Sequence, residues 1–237
     1  MKRIIALALV LMPAVAVAQP AGSPQSLPLV VDLKKAAVGS WAEYGMSFGE
    51  AKMKSRWALV ARDASSTTLE MSMQGGPTAQ MGGKITLKMV LDPDPVTAAK
   101  PVKEIVMQIG DGAPMQAPPD APTQKFQKPD PKTLVGKESI KVEAGTFKTT
   151  HYRDHSPAGT VDVWVSEEVP PLGLVKVLTT PEPGATGQPP VPPAAMELTG
   201  TGTGAKPTIT KPAKPFDPAG MMGGAPPAGA KSGKKRK

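Results

Sequence analysis

The sequence VGKESIKVEAGTFKTTHYRDH at 135–155, continued after a short gap by GTVDVWVSEEVPPLGLVKVL at 159–178, decides the fold. It reads as four antiparallel strands in a row. Residues 138–142 and 146–153 flank Glu143-Ala144-Gly145, a hairpin with Gly145 in the left-handed region and Ile140 and Val142 beside Phe147. Residues 160–166 and 174–179 follow, joined through Val169-Pro170-Pro171-Leu172-Gly173. Two adjacent prolines cannot lie inside a paired strand, so they fix a rigid corner. Val161, Val163 and Val165 oppose Trp164, and Leu174 and Leu178 oppose Val175 and Val177. Apolar groups on both faces predict cover on both faces, which places this region near the middle of a curved or doubled sheet.

Working outward, the same period of two recurs upstream. Trp41–Phe48 puts Ala42, Tyr44, Met46 and Phe48 on one side. At 52–62, Met53, Trp57 and Leu59 alternate with Lys52, Lys54 and Arg56. Thr67, Leu69, Met71 and Met73 alternate with Thr68, Glu70 and Ser72, and Ile85, Leu87, Met89 and Leu91 with Lys84, Thr86 and Lys88. Such alternation marks strands with one buried and one wetter face, and the short polar or glycine-bearing connections predict antiparallel neighbours. Val102–Ile109 adds another strand, and 196–203 a last weak one whose alternating glycines suit an edge. The fold class is all-β: a curved antiparallel sheet of about ten strands, half-barrel or barrel-like. Asp32 as a cap and Gly39 as a stop predict a short N-terminal helix between them.

The flanks carry different information. Lys2 and Arg3, the apolar run after them and Ala16-Val17-Ala18 form a secretory signal peptide over 1–18. Residues 19–31 read as a flexible leader, 32–204 as one β domain, and 205–237 as a disordered, basic, Pro/Gly/Ala-rich tail. Proline-rich loops at 110–132 and 181–195 interrupt the domain, with Phe126 as the residue that could pin the first. The 29 prolines and 24 glycines match such unstructured segments. Of the net charge of +8, Lys2 and Arg3 carry +2 and the tail +7, which leaves −1 for the rest. Cationic behaviour is therefore assigned to the tail, and no nucleic-acid interface to the domain. Without cysteine the chain has no disulfide, thiolate metal site or cysteine nucleophile. It is expected to be exported and soluble, in the periplasm.

The run His151-Tyr152-Arg153-Asp154-His155 is the one place that resembles an active site. On a strand, His151, Arg153 and His155 share a face, and the two histidines lie about 13 Å apart, too far to share a metal ion. The plainer reading is a polar strand end running into a turn. Met71 and Met73 share a strand face and could offer soft sulfur to Cu(I), but methionine on a strand is more often adaptable core filler. No serine elbow, phosphate loop or zinc pattern is present, so neither a catalytic constellation nor a cofactor or metal is expected.

The motifs Val38-Gly39-Ser40-Trp41-Ala42-Glu43-Tyr44, Ile140-Lys141-Val142-Glu143-Ala144-Gly145-Thr146-Phe147, Trp164-Val165-Ser166 and Pro171-Leu172-Gly173-Leu174-Val175-Lys176 together resemble exported bacterial proteins of the DUF3108-like, or TapB, group. The family often has proline where this chain has Glu143. The resemblance runs over about 38–204 and implies an antiparallel sheet wrapped into a partial barrel in an envelope protein. It transfers no catalytic residue.

Two functional expectations follow. Met53, Trp57, Leu69, Met71, Met73, Leu87 and Met89 form one apolar face that could line a cavity for a lipid or other amphipathic envelope ligand. The competing expectation is a structural or protein-interaction module whose core is closed. In either case Lys231, Lys234, Lys235, Arg236 and Lys237 could tether the chain to an anionic membrane or cell-wall surface.

Overall fold

The computed structural model describes residues 26–81, 83–117, 125–157, 159–182 and 193–215. The expected signal peptide, the end of the expected basic tail and most of the second proline-rich loop lie outside these residues. The strands are β1 (Ser26–Pro28), β2 (Trp41–Phe48), β3 (Ala51–Arg62), β4 (Thr67–Gly75), β5 (Lys84–Leu91), β6 (Val102–Ile109), β7 (Met115–Gln116), β8 (Lys125–Gln127), β9 (Leu134–Val142), β10 (Gly145–Ser156), β11 (Gly159–Val165), β12 (Leu174–Pro181) and β13 (Ala194–Gly202). Eleven of them form one curved, open antiparallel sheet in the order β7-β6-β5-β4-β3-β2-β13-β12-β11-β10-β9. Two meanders, β2 to β7 and β9 to β13, are thus joined along the β2–β13 pair.

The all-β reading and the four-strand run from β9 to β12 agree with this architecture, but the centre of the sheet is β2 rather than β11 or β12. Of the apolar groups expected to be covered on both faces of β11 and β12, Val165, Leu174, Val175 and Val177 are buried, and Val161, Val163, Trp164 and Leu178 are half-buried. Val30 donates its N–H to the Leu172 carbonyl at 3.2 Å, and Val30 and Val31 press on Gly173. Gly173 has φ +81°, and a Cβ there would collide with Val30, so this close approach requires glycine. Gly145 has φ +138° at the β9–β10 turn, as the hairpin requires. The tip of that hairpin bends back so that Ala144 N–H donates to the Leu198 carbonyl of β13 at 3.2 Å.

The inner face follows the alternation. Leu59, Leu69 and Met89 lie directly opposite one another on β3, β4 and β5 and are buried, as are Tyr44, Leu174 and Leu198. One half of the hollow is filled by the N-terminal segment. Leu29 and Leu33 are 3% and 2% exposed and join Phe126 in the core, while β1 pairs in parallel with β8. Residues 26–31 of the expected leader are therefore fixed against the sheet, and Phe126 pins its loop.

The expected N-terminal helix does not form. Asp32 caps a single turn, its Oδ1 accepting from Lys34 N–H at 2.9 Å. The Leu33 and Ala36 carbonyls that a helix would direct to Ala37 and Ser40 instead accept from the Arg62 guanidinium at 2.8 and 2.7 Å. Two charge-assisted bonds from the sheet outweigh continuing a helix this short.

The beginning of the expected disordered tail is also placed. Residues 205–215 form an extended strap over the outer face. The buried Glu70 carboxylate accepts from Thr208 and Ile209 N–H at 2.7 and 3.0 Å. Ile209 is 3% exposed, and Lys214 bridges β7 by Lys214 N–H to Pro114 O and Gln116 N–H to Lys214 O. Composition misses this strap because one carboxylate, one isoleucine and a few backbone bonds are enough to hold it.

Candidate functional site

The register places the residues expected to line a ligand on one face. Trp57 pairs with Met71, Met71 with Leu87, Leu69 with Met89, and Met53 lies across from Met46, which in turn faces Met196. Burial divides the group. Trp57, Leu69 and Met89 are in the closed half of the core, and Met53, Met71, Met73 and Leu87 are half-buried toward the other end. Met107, across from Leu87 on β6, and Phe48 on β2 are also half-buried and extend the same apolar surface. Thioether side chains adapt to irregular apolar shapes at low cost, so such a surface can accept varied apolar groups.

The second candidate is built around His151. Extended β10 puts His151 and Arg153 on the same face, and the β10–β11 register pairs Arg153 with Asp162 and His151 with Trp164. His151 is 6% exposed, while the polar strand end that follows it, Arg153–Ser156, is exposed as it runs into the turn. Its Nε2 is 2.6 Å from Asp162 Oδ1, and its Nδ1 is 3.2 Å from Glu138 Oε1 on β9. Arg153 Nε donates to the same Asp162 oxygen at 2.7 Å. Trp164 stacks on the imidazole, with ring centres 4.3 Å apart, and donates its indole N–H to Glu138 Oε1 at 2.7 Å. Burial alone pushes the Asp162 carboxyl up, but the hydrogen bonds and charges of Arg153 and His151 outweigh it and hold the carboxyl below its ordinary range. The cluster ties β9, β10 and β11 together. His155 stands apart at the strand end, its Nδ1 2.9 Å from Thr160 Oγ1.

A cleft of about 340 Å³ opens on the opposite face of the same strands. It is lined by Lys137, Lys148, Thr150, Tyr152, Ser166 and Glu167, with Val30 and Val165. A second, shallower depression lies between Asp92 and Lys103. Neither is lined by the half-buried methionines.

No protein-family model matches this chain, and no curated protein matches it. Among solved structures the chain is similar to a hypothetical protein of Chlamydia trachomatis, with 13% identity and a TM-score of 0.44 over 78% of this chain and 96% of that one. It is also similar to a Bacteroides fragilis protein assigned as exported with a YmcC-like fold, with 11% identity and a TM-score of 0.35 over 75% of this chain and 99% of that one. The DUF3108-like resemblance accordingly rests on the short motifs quoted for it.

Sequence reasoning missed Glu138, Asp162 and Trp164 as partners of His151. The signal was present in the turn at Pro157. Once Ser156 is set against Gly159, counting back gives Arg153 opposite Asp162 and His151 opposite Trp164. Lys231, Lys234, Lys235, Arg236 and Lys237 lie outside the described residues. Among the described residues no helix is long and apolar enough to cross a membrane.

Proposed function

We propose that this chain is an exported, non-enzymatic binding module of the cell envelope that holds an apolar or amphipathic ligand against the methionine-rich end of its inner sheet face. The observation that carries this reading is the half-buried state of Met53, Met71, Met73, Leu87 and Met107, which share one face across neighbouring strands. A core meant only to be filled would bury these side chains as fully as Leu59 and Leu69. Export rests on the signal-peptide pattern at 1–18. The basic end of the tail would hold the module near an anionic surface, each cation contributing about 1 kcal/mol there.

One observation favours the second reading, a closed interaction module: residues 27–36 already fill the other half of the hollow. Native mass spectrometry of the protein purified from the exporting compartment separates the two. A co-purifying adduct of lipid size is expected; a uniform apo mass after mild extraction would favour the closed module.

A further inference from the structure

The two faces of the β9–β10 hairpin carry opposite chemistry. One bears Glu138 and His151, with Ile140, Val142 and Phe147 packed toward the core. The other bears Lys137 and Lys141 on β9 and Lys148 on β10, interleaved with Ser139, Thr146 and Thr150. Thr150 pairs with Lys137, and Lys148 is two residues before Thr150, so the two ammonium groups are diagonal neighbours over one cleft. Like charges at such spacing repel, and here no carboxylate on the strands separates them. None of the three lysines forms an ion pair among the described residues. Glu167, from the loop after β11, also lines the cleft, as do Ser166 and Thr150.

We infer that this cleft binds a phosphate group, with Lys137 and Lys148 supplying charge and Thr150 and Ser166 supplying hydroxyl donors. Paired ammonium groups with nearby hydroxyls complement a phosphate's charge and its several acceptor oxygens. The near-neutral charge of the domain conceals the site, because carboxylates elsewhere in the domain offset these lysines. The cleft shares the sheet face of the methionines but lies several strands away, and no methionine lines it.

The test uses the mature full-length protein, with vesicles of phosphatidylglycerol and phosphatidylcholine, vesicles of phosphatidylcholine alone, and inorganic phosphate as probes. Lys137→Gln with Lys148→Gln should weaken retention on the anionic vesicles about thirtyfold, taking each lysine at the membrane-surface value. Lys52→Gln with Lys84→Gln, exposed on the other meander and equal in charge change, should stay within about threefold of the unmodified protein. Both proteins keep the basic tail, so its contribution cancels. Phosphate binding by equilibrium dialysis, lost in the first double variant, assigns the site to a free phosphate group; vesicle retention without it assigns a lipid headgroup. Absence of both, or an equal loss in the two double variants, overturns the site.

Discussion

His151 Nε2 meets Asp162 Oδ1 at 2.6 Å in a buried pair, and Arg153 Nε shares that oxygen at 2.7 Å. One carboxylate oxygen therefore serves two side chains of the neighbouring strand, while Glu138 and Trp164 hold the imidazole from its other nitrogen and its face. The cluster thereby fastens β9, β10 and β11 to one another.

Removing Asp162 leaves a buried histidine beside an unpaired guanidinium. Asp162→Ala is expected to cost about 1–3 kcal/mol, the range for leaving a buried hydrogen-bonding partner unsatisfied. Asp162→Asn, which keeps an acceptor but loses the charge, should cost less. Urea denaturation followed by tryptophan fluorescence reads both; a loss in Asp162→Ala below about 0.5 kcal/mol, ordinary for a neutral surface change, would contradict the fastener role.

Acid should loosen the same hairpin. The Asp162 carboxyl is held below its ordinary range in the folded state. Its stabilisation is therefore fully present above the unfolded value of about 3.9 and is lost as pH falls through the folded value. Asp63 behaves alike, its carboxyl held at about 2, first by the Ser65 N–H and hydroxyl and then by the Ser66 hydroxyl. Stability measured from pH 6 down to pH 2 should fall below pH 4, and Asp162→Asn should flatten part of that fall. An unchanged slope in the variant would show that Asp162 is not the titrating group.

The strap over 205–215 depends on Glu70 and Ile209. Ile209→Ala should cost about 2 kcal/mol or more through the emptied site, and Glu70→Ala about 1–3 kcal/mol through lost bonds to two N–H groups. Limited proteolysis should then cut between 205 and 215 well before the sheet is attacked. Equal protection in both variants and the unmodified chain would mean that other contacts hold the strap.

Strand positions and faces were legible in the sequence because a half-buried strand writes its burial every second residue. Leu69, Met71 and Met73 against Glu70 and Ser72 take opposite faces in the register as that alternation predicts, although Glu70 is itself buried beneath the strap. Gly145 and the Pro170-Pro171 corner were legible because backbone geometry restricts the residue. The order of strands was not, since nothing local in β2 or β13 declares that they pair across some 150 residues. The turn at Asp32 was misread as a helix because its decisive bonds come from Arg62, about 30 positions away. The His151 cluster was hidden for the same reason: its partners become neighbours only after two hairpin registers are fixed.

The central claim is that the half-buried methionine surface receives an apolar group. Titration of delipidated mature protein with a fluorescent fatty-acid probe tests it most directly, comparing the unmodified chain with Met71→Asp and Met107→Asp and checking each fold by circular dichroism. Saturable binding in the unmodified chain, weakened at least tenfold in both folded variants, is the predicted result, since a charge in an apolar site costs well over the roughly 1.4 kcal/mol of a tenfold change. No saturable binding, or equal binding by all three proteins, would contradict the account.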